Sequence, residues 1–243
     1  MSAGFFVTGT DTGVGKTALT GALACGLRRR GLDPGVMKPL ASGATRGGSG
    51  LVSADALFLV RMAGVSDDLD LICPVCLELP LAPAVAAELA GQRVDLVRVE
   101  QAFLRLATRH NPMLVEGVGG LMVPLAPGVL VEDLALGLGL PLVVVARAGL
   151  GTVNHTLLTL ARARARGLSV AGVILNGMSA DPDPAESTNA RVIAALGGVR
   201  ILGVIPRGEG VDVEAGRAGN MAALVEEHLD WAAIMAVLEG DAV

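Results

Sequence analysis

The 243-residue chain predicts an α/β fold, a doubly wound and mostly parallel sheet, and three observations carry that prediction. Short apolar runs alternate with longer helical patterns along the chain. The runs are continuous and lack the polar alternation of half-exposed strands. Each run also ends in a polar or glycine-rich turn. Continuous runs suit strands covered on both faces, as in a parallel sheet flanked by helices.

The elements follow in order. Residues 5–7 form the first strand, and a helix over 16–30 presents Leu19, Leu23 and Leu27 to the core. It closes on Arg28-Arg29-Arg30 before Gly31, where cations meet the negative end of the helix dipole. The second strand is 35–37, followed by Lys38-Pro39 and a glycine-rich loop over 43–50. Ser53 caps a helix over 54–63. Residues 71–83 and 121–131 are irregular and read as extra strands or lids over the sheet. A helix over 96–109 precedes the strand 113–115, which ends in Glu116-Gly117. The strand 142–145 ends near Arg147, and a helix covers 152–166. The strand 170–175 leads to Asn176-Gly177, a strong turn dipeptide. The turn Asp181-Pro182-Asp183-Pro184 opens a helix over 186–196. The last strand, 201–205, runs into Pro206-Arg207, and a final helix spans 220–238. No repeat or linker divides the chain, so residues 1–243 read as one nucleotide-binding domain.

Composition narrows the function. A net charge of −5 and a pI near 5.2 argue against a nucleic-acid surface, which needs clustered Lys and Arg. Mean hydropathy is high at +0.59, yet no apolar run approaches the roughly eighteen residues of a membrane helix. The first residues lack the basic and apolar regions of a signal peptide, so a cytoplasmic location is expected. Three cysteines are too few and too oddly numbered for a disulfide framework. Cys73 and Cys76 form a C-x-x-C with no second half-site, which reads as a buried and inert pair.

The chemistry begins at Gly9-Thr10-Asp11-Thr12-Gly13-Val14-Gly15-Lys16-Thr17. Between a strand and a helix, such a loop turns backbone N–H groups toward an anion, and the helix start adds partial positive charge. Lys16 would reach the terminal phosphates of a nucleotide, and the Thr17 hydroxyl would face Mg²⁺. The loop is a variant of G-x-x-x-x-G-K-[ST], because Thr10 stands where the first Gly is expected.

The carboxyl ends of parallel strands share one edge, where ligands bind. Glu116 is placed there as an acidic Mg²⁺ residue, since a carboxylate at a buried strand end needs a cation. Asp55 offers a second oxygen, or else compensates the dipole of its own helix. Lys38 either stabilises charge on a transferring phosphoryl group or is an ordinary solvated lysine. Ser42 holds an acceptor or caps its loop. Asn176 meets an adenine edge or makes a turn. Guanine is disfavoured, because the Asn-Lys-x-Asp pattern is missing.

As an ordered set, Thr8-Gly-Thr-Asp-Thr-Gly-Val-Gly-Lys-Thr17, Lys38-Pro-Leu-Ala-Ser-Gly43, Ser53-Ala-Asp55, Val115-Glu-Gly-Val-Gly-Gly120 and Leu150-Gly-Thr-Val-Asn-His155 resemble the dethiobiotin synthetases. The resemblance implies a phosphate-loop NTPase-like fold and an ATP- and Mg²⁺-dependent ring closure. CO₂ (or bicarbonate) and 7,8-diaminopelargonic acid form a carbamate, ATP phosphorylates it, and the second amine displaces phosphate to close the ureido ring. It implies that Thr17, Asp55 and Glu116 hold Mg²⁺, and that Lys16 and Lys38 stabilise charge with Thr12 beside them. Gly13, Val14, Gly15, Lys16, Thr17, Ala18, Asp55, Glu116, Gly117, Val118, Gly119, Asn176, Gly177, Pro206, Arg207 and Gly208 would bind nucleotide. Thr12, Lys38, Ser42, Gly151, Thr152, Val153 and Asn154 would bind the diamine, with the last four reaching across a homodimer interface. Two positions depart from the pattern: Val118 replaces a small residue, and Arg207 interrupts an apolar base-binding segment, pointing to relaxed base selectivity. Two other readings compete. An amidoligase resembling the cobyrinic acid a,c-diamide synthases would need a further glutaminase domain. A switch ATPase of the deviant phosphate-loop type would carry lysine where this chain has Asp11.

Overall fold

The computed structural model describes residues 3–48 and 50–240; Ser49, within the predicted 43–50 loop, lies outside the described residues. Six strands make the central sheet: β1 (Gly4–Gly9), β2 (Gly35–Met37), β3 (Met113–Glu116), β4 (Leu142–Arg147), β5 (Val170–Met178) and β6 (Ile201–Pro206). All pairings are parallel, in the order β6-β5-β4-β1-β3-β2. These are the six predicted strands. They were visible because β1 to β4 are buried almost throughout, so nearly every side chain had to be apolar or small. The chain winds one way from β1 to β2 and crosses back after β3 to β4. The carboxyl ends of β1 and β3 therefore lie side by side, with Val7 opposite Glu116, at the reversal point where α/β sheets bind ligands.

Among the described residues ten helices accompany the sheet: α1 (Lys16–Arg29), α2 (Ala54–Ala63), α3 (Leu69–Ile72), α4 (Pro83–Leu89), α5 (Leu96–Ala107), α6 (Val131–Leu138), α7 (Thr152–Ala165), α8 (Pro184–Gly197), α9 (Met221–His228) and α10 (Trp231–Glu239). Helix α1 packs against α2 and α9, and α7 against α8. In α5 the buried residues Val99, Ala102, Phe103 and Leu106 keep the three-and-four spacing of one helical face. Trimming Leu106, fully buried in the core, to Ala would cost about 2–5 kcal/mol.

The structure corrects some expectations and bears out others. The predicted 220–238 helix is two, because the chain becomes extended at Leu229 and Asp230 caps α10 through the Ala233 N–H. The irregular 71–83 segment, expected to form extra strands or lids, does form a strand: after the end of α3 it runs through Val75–Leu77, paired in parallel with Leu40–Ser42, and reaches the start of α4. The 121–131 segment contributes the Pro124–Ala126 and Val129–Leu130 hairpin, and α6 follows it unforeseen. Much of the predicted 43–50 loop is strand instead: Thr45–Gly47 pairs antiparallel with Gly50–Val52 in a short ladder. Asn176-Gly177 lies inside β5 and is not a turn, since Asn176 pairs with both Arg147 and Ile205.

The Arg28 to Arg30 run does more than meet its own dipole. Arg28 donates to the Ala63 and Gly64 carbonyls, while Arg30 pairs with Glu226 and lies 3.7 Å over the Trp231 ring. The indole packs so closely on α1 that a Cβ at Gly26 would sit 2.2 Å from it. Arg28 and Arg30 thus fasten α2, α9 and α10 to α1. No helix among the described residues is long and apolar enough to cross a membrane.

Candidate nucleotide and substrate site

The loop between β1 and α1 is anchored where Thr10 N–H donates to the Val145 carbonyl at 3.0 Å. Gly15 caps α1 at φ 92° with no side-chain cap, so the first N–H groups of the helix face the crevice. Asn176, from β5, donates through Nδ2 to the Val14 carbonyl at 2.9 Å. A Cβ at Gly15 would lie 2.1 Å from that same Nδ2, so glycine is required both for its dihedral angle and for the clearance. The Asn176 amide thus clamps the loop, and its Oδ1 is buried without a partner.

Lys16, only 6% exposed, donates to the Asp11 carbonyl at 3.0 Å. Burial draws its ammonium down to about 8, with Glu116 opposing and Lys38 reinforcing that fall. Asp11 also pairs with Arg147 at 2.6 Å, tying the loop to the end of β4.

The centre of the site is a junction of four side chains. Lys38 Nζ donates to Glu116 Oε1 at 2.6 Å and lies 2.7 Å from Asp55 Oδ2; Thr17 Oγ1 donates to the same Glu116 oxygen at 2.8 Å. Strand position accounts for the meeting: Lys38 follows β2, Glu116 ends β3, Thr17 stands in the first turn of α1, and Asp55 stands in the first turn of α2 behind its Ser53 cap. Lys38 is therefore no solvated lysine. Burial works against its charge, but Glu116 and Asp55 outweigh it and hold the ammonium above the ordinary range. Burial pushes the Glu116 carboxyl up, and Lys38 offsets this only in part. Its second oxygen, Oε2, has no partner, so the carboxylate is short of positive charge and of donors.

These groups face a cleft of about 710 Å³. Thr12, Gly13, Gly15, Lys16, Thr17, Ala18, Lys38, Ser42, Asp55, Glu116, Val118, Gly119 and Asn176 line it as the sequence suggested. Val14 and Gly117 support it from behind, through the Asn176 contact and a Gly117 N–H bond to the Val7 carbonyl. Other wall residues were not foreseen: Ala41, Pro80, Leu81, Ala82, Val123, Val211, Val213, Glu214 and Met221. The Val211 and Glu214 stretch belongs to a short hairpin, Val211–Asp212 with Arg217–Ala218, too brief to give a pattern.

The remaining predicted residues stand apart from the cleft wall. Arg207 is exposed and bonds to Met178 through its backbone N–H, Pro206 pairs with Met178, and Gly208 packs against Val211 and Met221. Gly177 follows Asn176 in β5. Gly151, Thr152, Val153 and Asn154 start α7 beyond β4. That start is capped by Gly151 at φ 91°, and the Thr152 hydroxyl is buried without a partner. Asn189 holds the preceding turn through the Ala148 and Gly149 carbonyls. Of the two paired cysteines, Cys73 is buried as expected, but Cys76 is only half-buried.

Comparison with known proteins fits this geometry. A family model described as an AAA domain matches residues 3–215. The chain is 48% identical over 203 residues to an ATP-dependent dethiobiotin synthetase of Anaeromyxobacter dehalogenans, covering 84% of this chain and 89% of the relative. It is 40% identical over 232 residues to the Bacillus subtilis protein of that name, covering 96% and 97%. Among solved structures, the MinC:MinD cell division complex of Aquifex aeolicus aligns at a TM-score of 0.58 and 12% identity, covering 100% of this chain and 97% of the other. A ParA family ATPase of Chlorobium tepidum aligns at 0.54 and 13%, covering 93% and 98%. At those identities the likeness is one of fold alone.

Proposed function

The chain belongs to the ATP-dependent dethiobiotin synthetase family, and from that premise we propose how its own residues carry out the family's ring closure. The substrates are 7,8-diaminopelargonic acid, CO₂ and ATP; the products are dethiobiotin, ADP and phosphate. A carbamate oxygen of the substrate attacks the γ-phosphorus and the bond to ADP breaks. The second amine then attacks the carbamate carbon, phosphate leaves, and the amine proton passes to solvent.

The observation that supports this most is the Lys38, Glu116 and Thr17 junction beside the phosphate loop, in a cleft whose described wall holds no His or Cys. Such a wall positions and stabilises charge, and no covalent nucleophile is needed from it, because the substrate's own oxygen and amine make the attacks. The α1 N–H groups and Lys16 hold the phosphates. Lys38, kept protonated, faces charge that builds on the carbamate and the transferring phosphoryl group. Ser42 and Thr12 orient the diamine, and Asn176 Oδ1 is free to accept a hydrogen bond from an adenine amine.

Thr17, Glu116 and Asp55 fit a hard divalent cation. All three offer oxygen, and the orphaned Glu116 Oε2 is an acceptor still to be matched. Mg²⁺ bound there with the nucleotide would offset the charge of its β- and γ-phosphates. The start of α7 serves the substrate carboxylate with backbone N–H groups. Its place outside the cleft, beside an 87% exposed Leu150, supports a homodimer in which Gly151 to Asn154 complete the partner's site. Residues 1–243 act as one domain, and the protein works in the cytoplasm.

Incubating the protein with ATP, Mg²⁺, bicarbonate and the diamine, with mass spectrometry of the products, tests the reading. It requires a cyclic urea formed in step with ADP. ATP turnover indifferent to the diamine, with no urea, would return the chain to a switch ATPase.

A further inference from the structure

The Cys73-Pro74-Val75-Cys76 segment has no part in the chemistry above. Cys73 follows α3, and Cys76 sits in the middle of the Val75–Leu77 strand. Their Sγ atoms lie 3.5 Å apart. Both residues line a cavity of about 400 Å³, distinct from the nucleotide cleft and walled also by Arg93 and Arg98. The half-buried Cys76 gives a small reagent access, and Cys73 waits behind it.

The backbone around this pair is bonded to the substrate wall. Cys76 lies opposite Ala41, and Leu77 opposite Ser42. Just before the motif, the Ile72 carbonyl accepts from the Lys38 N–H at 2.8 Å; just after it, the Leu77 carbonyl accepts from Ala44 at 3.0 Å. A movement of either cysteine is therefore passed to the segment that carries Lys38 and Ser42.

We propose that Cys73 and Cys76 form a reversible disulfide by exchange with a low-molecular-weight disulfide of the glutathione type, and that the oxidised form is the less active enzyme. The second half of this rests on the roles given above to Lys38 and Ser42. Cys76, as thiolate, attacks one sulfur of the small disulfide, whose S–S bond breaks and releases one small thiol, protonated by solvent. Cys73 then loses its proton to solvent and attacks Cys76 Sγ, expelling the second small thiol. Two protein thiols are oxidised, and one small disulfide is reduced to two thiols. The hydrogen bond between the pair draws the Cys76 thiol below the ordinary range, while that bond and burial push Cys73 up, which suits Cys76 as the attacking group. Closing the sulfurs from 3.5 Å to about 2.0 Å requires a movement of about 1.5 Å. Misplacement of about 1 Å near reacting groups costs up to about 100-fold in rate.

The test uses the full chain carrying Cys25→Ser, which leaves only this pair of thiols. The protein is equilibrated in mixtures of reduced and oxidised glutathione, quenched with an alkylating reagent and weighed intact. We expect a passage from two alkylated cysteines to none, with loss of two hydrogens. Adding Cys73→Ala should stop the reaction at one glutathione adduct on Cys76. The oxidised chain should lose about tenfold in kcat/KM for the diamine and recover with dithiothreitol. Cys76→Ala should keep its reduced-state activity and ignore the oxidant. Two alkylatable cysteines at the oxidising end would overturn the proposal. A complete disulfide with unchanged kinetics would overturn its regulatory half. The mass readout needs no turnover and no variant of the pair, so it stands apart from any failure of the assigned ring closure.

Discussion

The two edges of the central sheet treat buried charge in opposite ways. At the amino edge, before β2 and β3, His110 lies between Asp33 and Asp67, at 3.0 and 2.8 Å, and Arg109 reaches the other Asp67 oxygen at 2.8 Å. Both ring nitrogens and both Asp67 oxygens have partners. At the carboxyl edge, Lys38 and Thr17 converge on one oxygen of Glu116, leaving its other oxygen and Asn176 Oδ1 buried and bare. A buried acceptor without a partner costs about 1–3 kcal/mol. We propose that the closed network serves stability, and that the open one takes a ligand that supplies donors and positive charge.

If that contrast is right, substitutions at the open edge should act on turnover more than those at the closed edge. The largest effects belong to Lys16→Ala and Lys38→Ala, each expected to lower kcat by at least about 100-fold, the scale for removing a preorganised charge. Near-normal turnover in either would erase the distinction. Next comes pH: with Lys16 drawn down to about 8, kcat/KM for ATP should fall as pH rises through that value, because the neutral amine no longer attracts phosphate. A flat profile to pH 10 would remove Lys16 from phosphate binding. Glu116→Gln should raise the Mg²⁺ concentration needed for half-maximal rate, since an amide is the weaker ligand for a hard cation; an unchanged titration would exclude Glu116 from the metal.

The closed edge supplies the counter-test. Burial acts to raise the Asp67 carboxyl, but its bonds from Arg109 and His110 prevail and hold it below the ordinary 3.8. The unfolded chain therefore takes up the proton first, so Asp67 contributes stability above that value, lost as pH falls through its lower folded value. Asp67→Asn should lower Tm at neutral pH, flatten the acid dependence of Tm and leave kcat within about twofold, as expected away from reacting groups. The smallest effect is expected at Arg207, exposed and off the cleft wall. Arg207→Ala should shift the ATP to CTP efficiency ratio if its side chain reaches a bound base, and equal ratios would leave it to solvent.

What the sequence disclosed follows the same physics. The strands of the buried sheet and the β1 to α1 loop stood out because each admits few residue types: apolar runs for doubly covered strands, and glycine with Lys-Thr for an anion cradle. Glu116 was legible because a carboxylate closing an apolar run is costly. The Lys38 to Asp55 contact was not, since a first-turn Asp serves its own helix equally well. The α6 helix was missed although Glu132 and Asp133 stand in its first turn and pair with Arg162 of α7 and Arg166, which caps that helix. Those partners lie about thirty residues away and appear only once the sheet has brought the helices together. The hairpin carrying Glu214 was hidden for another reason: two-residue strands have no periodicity.

The central claim is that this open edge activates an oxygen of the substrate, and not water, toward the γ-phosphorus. It is tested most directly with CO₂ labelled with heavy oxygen, supplied briefly in unlabelled water with ATP, Mg²⁺ and the diamine. Phosphate carrying one heavy oxygen, released in equal amount with the cyclic urea, is the result predicted. Unlabelled phosphate from labelled CO₂ would mean that water attacks instead, and would contradict the account.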